Sequence, residues 1–211
     1  MLSMDHARQG GASLIVALML MLVLAFLGMA AMSNSTLQER MANNMRDRNV
    51  ALQAAELALR DAERDLAALK ADGITFCPGG STGCRPAGER TNVATLRASY
   101  WSWGPALTPY WTPSCTHGQC YDNSAASVPV WDDTAADWGT GTKTTVAYGT
   151  YTGATALTGV SAQPRYIIEI LPQSIDPYGL SSQRVTFRIT ARAVGQNPTT
   201  VVILQSVSSP N

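Results

Sequence analysis

The chain has 211 residues and no net charge, fifteen Lys and Arg balancing fifteen Asp and Glu. That balance removes the electrostatic case for a nucleic-acid partner or an anionic surface. The length allows one sizeable core beyond an N-terminal segment, while two histidines leave little for general acid–base or nucleophilic chemistry.

Residues 1–11 read as a short polar leader. From Ala12 to Met32 no charged residue occurs. At 1.5 Å per residue this run makes roughly 32 Å of helix, enough for a hydrocarbon core of ~30 Å. A helix apolar on every side belongs in lipid or in a bundle of similar helices. A cleaved secretory signal has a shorter apolar core of about 7–15 residues. A plain signal anchor conflicts with the charges: Arg40, Arg46 and Arg48 follow the run and only Arg8 precedes it. The positive-inside rule would then put the downstream part in the cytoplasm.

Ser35-x-x-Gln38 and Thr36-x-x-Glu39 have capping-box spacing. They either restart a helix after a break near Ser33–Asn34 or lie inside one continuous helix. From Leu52 the pattern is regular. Leu52, Ala55, Leu59, Ala62, Leu66 and Leu69 form one apolar seam at alternating spacings of three and four. Arg60, Asp61, Arg64 and Asp65 make the opposite face, and Asp72-Gly73 ends the helix with a left-handed C-cap. The segment 35–72 is therefore expected to be amphipathic helix, with 12–34 as its membrane-spanning half.

Residues 73–143 show no sustained periodicity and are expected to be a loop-rich region. It holds all five tryptophans, Trp101, Trp103, Trp111, Trp131 and Trp138, and all four cysteines. The tryptophans read either as a local mini-core or as a partner-binding surface. An even cysteine count behind an export-type segment indicates disulfides and an oxidising compartment. Four cysteines allow three connectivities. The sequential one, Cys77–Cys84 with Cys115–Cys120, is preferred because both small loops carry turn residues. A zinc site using His117 would have spacings unlike those of structural zinc modules. A calcium site on Asp132, Asp133 and Asp137 would bring clustered oxygen ligands, but the spacing is no EF-hand.

Residues 144–211 read as antiparallel sheet. Tyr166–Leu171 is strand-like. From Arg184 to Val194 the chain alternates with period two, Val185, Phe187, Ile189, Ala191 and Ala193 against Arg184, Thr186, Arg188, Thr190 and Arg192. The arginine row reads as a solvated face. Gly195–Pro198 is turn chemistry and Thr200–Val207 a last β-branched strand. Thr144–Thr152 is a candidate fourth strand. The apolar face of this meander is the expected cover for the helix seam. No P-loop, dinucleotide fingerprint or H-E-x-x-H occurs, and no Ser-His-Asp or Cys-His set is in view. The chain reads as a non-enzyme with no cofactor.

Two stretches carry a family resemblance. Arg8-Gln-Gly-Gly-Ala-Ser-Leu-Ile-Val-Ala-Leu18 resembles the N-terminus of type IV pilins and pseudopilins. Thr36-Leu-Gln-Glu-Arg-Met-Ala-Asn-Asn-Met-Arg-Asp-Arg-Asn49 with Ala51-Leu-Gln-Ala-Ala-Glu56 resembles the N-terminal signature of PilX-type minor pilins. The resemblance covers about residues 8–65, with a weaker match in the last strands. It implies leader cleavage after Gly11 and N-methylation of Ala12, so that the apolar run is kept. It also implies an α+β pilin-like fold: a long N-terminal helix packed on a C-terminal antiparallel sheet of three to four strands, with a disulfide- and Trp-containing loop region between.

Most pilins have glutamate at the fifth mature position, where this chain has Val16. An unpaired carboxylate there would be expensive in lipid, and its absence resembles tip subunits. The function implied is a minor pilin that primes assembly of a type IV pilus and sits at or near its tip, serving adhesion and twitching motility. The implied partners are other minor pilins and the major pilin through the helix, a PilY-type tip adhesin, and the inner membrane before assembly. The head would be periplasmic, then on the cell surface. The alternatives are a type II secretion pseudopilin, or a Trp-rich ligand-binding module on a membrane anchor.

Overall fold

The computed structural model describes residues 12–87, 111–121, 131, 138, 144–171 and 185–208. The chain falls into two units, Met1–Arg46 and Asp47–Asn211. One helix, α1, runs from Ala12 to Leu66 without interruption, so the capping-box spacings lie inside a continuous helix.

Helix α1 stops earlier than Gly73. Ala68 adopts a left-handed conformation with φ 59°. Its N–H bonds to the Asp65 carbonyl at 3.0 Å and the Leu69 N–H reaches back to the Arg64 carbonyl at 2.8 Å. These paired bonds are the Schellman cap, here built on alanine rather than the usual glycine. Gly73, at φ 72°, serves the next turn instead, where Lys70 N–H bonds to the Thr75 carbonyl at 2.8 Å. Asp72 Oδ1 accepts the N–H of Ile74 at 2.9 Å and of Thr75 at 2.8 Å. The Thr75 hydroxyl and these two amides hold the Asp72 carboxyl down at about 2.

Among the described residues the sheet has five strands. They are β1 (Gln119–Cys120), β2 (Val146–Ala147), β3 (Arg165–Leu171), β4 (Thr186–Val194) and β5 (Val201–Ser208). Strands β3, β4 and β5 form the expected antiparallel meander, with Ile168 opposite Ile189 and Ala191 opposite Leu204. The free edge of β3 takes both short strands. β2 pairs antiparallel at Tyr166 and Arg165, and β1 pairs parallel at Ile168 and Glu169. The sheet is therefore mixed rather than purely antiparallel, and of the expected strand Thr144–Thr152 only Val146–Ala147 pairs.

Alternation decides which side chains meet the helix. Tyr166, Ile168, Ile170, Phe187, Ile189 and Ala191 join Ala58, Ala62 and Leu66 in one buried cluster. Ala54 and Ala55 meet Ala193, flanked by Val202 and Leu204. The helix face is an alanine stripe: Ala51, Ala54, Ala55, Ala58 and Ala62 are all 3% exposed or less. Small side chains on the helix let the sheet come close, and large ones on the sheet fill the gap. This turns the expected seam. Ala55, Ala62 and Leu66 are buried, but Leu52 is 37% exposed, and Leu59 and Leu69 are only half-buried.

Strand β3 is covered on its other face too. Ile167 is fully buried against Cys115 and Cys120, with Trp131 and Trp138 packed beside it. The expected solvated arginine row is accordingly half covered. Glu169 and Thr190 are buried, and Arg188 forms a two-pronged ion pair with Glu169 at 2.8 and 2.9 Å.

Candidate functional site

Two features bear on function, and each belongs to its own unit. The first is the apolar half of α1. Ala12–Met29 is long and apolar enough to cross a membrane, with mean hydropathy 2.7 and none of it buried. Leu14, Val16, Met19, Met21, Leu24, Phe26 and Met29 are each more than half exposed. Val16 lies on this surface without a carboxylate. Ala12 is the first residue of the helix, and Gly11 lies outside the described residues. Leu37, Met41 and Met45 continue exposed at a spacing of four, on the same helix face.

The second feature is the joint between α1 and the sheet in the head, and it is charged at its centre. Asp65 is buried on the sheet side of α1. Its two oxygens accept Arg85 Nε and Nη2, both at 2.7 Å. The Tyr166 hydroxyl donates to Asp65 Oδ2 at 2.8 Å. Arg85 Nη1 donates to the His117 carbonyl at 3.1 Å, and the guanidinium lies 4.3 Å from the centre of the Tyr151 ring. A bidentate Arg–carboxylate pair is the geometry in which a buried ion pair recovers its desolvation cost. Burial pulls the Arg85 pKa down, and the Asp65 charge with its hydrogen bonds more than offsets it. Burial drives the Tyr166 phenol well above its ordinary value, so Tyr166 stays a neutral donor.

One turn earlier, Asp61 is fully buried. It accepts the Gly149 N–H at 2.8 Å and the Thr152 hydroxyl. Burial raises its pKa, opposed by those two hydrogen bonds. Asp61 and Asp65 thus tie the turn after β2 and the loop at Arg85 to one helix face. The sequence pattern puts both acids on the face opposite the leucine seam. The available signal was the alanine stripe: Ala54, Ala58, Asp61 and Asp65 continue one another at spacings of four, three and four. An acid on that line needs a buried donor.

The cysteines are joined Cys77–Cys84 and Cys115–Cys120. Their thiolates are therefore consumed, which leaves the zinc reading without its sulfur ligands. His117 adopts a left-handed conformation with φ 50° inside the second loop. Trp111 is 5% exposed and its ring lies 5.7 Å from that of Phe187. Trp131 and Trp138 are half-buried. Trp111 thus goes into the head core, while Trp131 and Trp138 pack beside the second disulfide and keep part of their surface exposed. Trp101 and Trp103 lie outside the described residues, as do Asp132, Asp133 and Asp137. Among the described residues no His, Cys, Asp and Glu group could hold a metal ion.

Two family models match the chain, one at each end. Residues 9–60 match the family model described as PilX N-terminal, and residues 81–209 match the one described as type IV pilus assembly protein PilX C-term. No curated protein and no solved structure matches the chain.

Proposed function

Because the chain belongs to the PilX family of type IV pilus assembly proteins, we propose that it is a minor pilin that primes pilus assembly and is incorporated at or near the tip. The family is structural. The observation that carries the reading is the surface of the apolar half of α1, exposed from Leu14 to Met29 with Val16 in place of an acid. Such a surface leaves lipid only by packing against similar helices. A subunit without the carboxylate has nothing to neutralise the terminal amine of a neighbour above it, which suits an end position better than a repeating one.

In this reading the leader is cut after Gly11, Ala12 is methylated, and the head waits in the periplasm on its membrane-embedded helix. Its partners are other minor pilins, the major pilin and a PilY-type tip adhesin. Mass spectrometry of the mature protein is expected to find N-methylated Ala12 as the first residue. Deletion is expected to remove surface pili, and labelling of sheared pili is expected to place the protein at their ends. Labelling along the whole shaft would refute the tip position. Absence from pili with lost protein secretion would identify a secretion pseudopilin instead.

A further inference from the structure

The Arg85 guanidinium is the partner of a carboxylate that the fold has already taken out of water. Asp65 and Arg85 are 2% and 4% exposed as side chains. The space left among Asp65, Ala68, Cys77, Arg85 and Tyr151 is about 10 Å³, room for at most one water, so solvent cannot stand in for the cation. The groups facing Asp65 are Arg85 and the Tyr166 hydroxyl, with Asp61 one turn away on its own helix. Tyr151 and the His117 carbonyl hold Arg85 from behind.

What delivers Arg85 is the Cys77–Cys84 loop. Cys77 is tethered to the end of α1, its N–H bonding to the Ala68 carbonyl at 2.9 Å. Cys84 immediately precedes Arg85 and is disulfide-bonded to Cys77. Across the loop, Gly80 N–H bonds to the Arg85 carbonyl at 2.7 Å. Gly83 runs so close to the turn after β2 that a Cβ on it would lie 3.2 Å from Gly153 Cα. Arg85 is thus one residue from a disulfide to Cys77, which is itself hydrogen-bonded to the helix end that presents Asp65.

We propose that the Cys77–Cys84 disulfide is a latch that seats Arg85 on Asp65: a disulfide donor exchanges with the two thiols, takes their two electrons and two protons and leaves as a dithiol, and the bond so closed completes the joint between helix and sheet. Without the disulfide the loop keeps its hydrogen bonds and its contact with Gly153 but loses its covalent closure, and Arg85 trades its buried site for water. Asp65 is then left as an uncompensated buried charge, the costly half of a broken pair. The latch makes a fully packed head a consequence of oxidation, and a reduced head one with an open joint.

The test is the effect of Asp65→Asn in two backgrounds of the full chain in detergent micelles, with Cys115–Cys120 left intact. In the oxidised protein the substitution is expected to lower the unfolding midpoint, because Arg85 remains buried without its carboxylate. In the Cys77→Ser/Cys84→Ser background it is expected to leave the midpoint unchanged or raise it. The two shifts should differ by about 4 °C or more. Equal losses in both backgrounds would show that Arg85 keeps its seat without the disulfide, and would overturn the proposal. If the serine pair abolishes folding, adding Asp65→Asn with Arg85→Met is expected to restore cooperative unfolding. Failure to restore it would make the disulfide a simple loop staple and would overturn the proposal equally.

Discussion

The Asp47 carboxylate sits against the backbone of Gly195, and a Cβ built on that glycine would overlap it. Asp47 Oδ1 accepts the N–H of Gln196 at 2.6 Å and of Asn197 at 3.3 Å. One helical acid thereby clamps the turn between β4 and β5, and glycine at 195 leaves the room its carboxylate occupies. Gly195→Ala is expected to destabilise the head by about 1–3 kcal/mol, read by denaturant titration. In an Asp47→Ala background most of that loss should vanish, since the overlapping atoms are gone. Additive losses would contradict the clamp.

The Asp47 clamp also has a pH signature. The Thr200 side chain and the turn amides lower its pKa, so the folded value lies below the unfolded one. Its contribution is present above the ordinary carboxylate range and is lost as pH falls through the depressed folded value. Wild type and Asp47→Asn should therefore converge in stability at the acid end and separate as pH rises to neutral. A constant difference across the range would rule this out.

Ala68 caps α1 in a left-handed conformation that costs an alanine roughly 1 kcal/mol. Ala68→Gly is expected to raise stability by about 0.5–1 kcal/mol, because glycine takes φ 59° without a Cβ clash. A loss of stability on equilibrium unfolding would show that the methyl group packs more favourably than the backbone suffers.

Much of this architecture was legible because it repeats. Val185 to Val194 alternates strictly, so β4 and its inward face followed from period two, and the turn chemistry of Gly195–Pro198 placed β5. The apolar run from Ala12 was legible from composition. Strand β2 was legible only as the longer candidate Thr144–Thr152, and β1 was not legible at all, since two residues such as Gln119–Cys120 carry no period and pair where β3 offers an edge. The helix face was misjudged by following leucines. Leu52 looked like seam, yet Ala51, Ala54 and Ala58 are the contact because bulk comes from Tyr166 and Phe187 across the gap. Asp61 and Asp65 were read as solvated because their donors, at Gly149, Thr152 and Arg85, lie far along the chain.

Trp111 distinguishes a core tryptophan from a displayed one. It packs on Phe187 beneath the sheet. Trp111→Ala is expected to cost about 3–5 kcal/mol. Loss of piliation in that variant should accompany loss of folded head, measured as protease sensitivity. Normal head stability with a lost partner interaction would instead assign Trp111 to an interface.

Asp61 should shape the pH dependence in the opposite sense to Asp47. Burial raises its folded pKa above the unfolded value of 3.8. The folded state then binds the proton more tightly, so this contribution is fully present below the unfolded pKa. It declines as pH rises through the raised folded pKa, and above that the buried charge is a constant cost. Asp61→Asn keeps an acceptor for the Gly149 N–H and lets the Thr152 hydroxyl turn to accept from the new amide. It is expected to stay within about 1 kcal/mol of wild type at neutral pH. Its stability relative to wild type should rise as pH climbs out of the acid range and then level off. Asp61→Ala, which leaves the half-buried Gly149 N–H without its acceptor, should lose about 1–3 kcal/mol across the same range. Full-length protein unfolded in micelles at a series of pH values checks both, and a wild type that gains stability relative to Asp61→Asn as pH rises would refute the assignment.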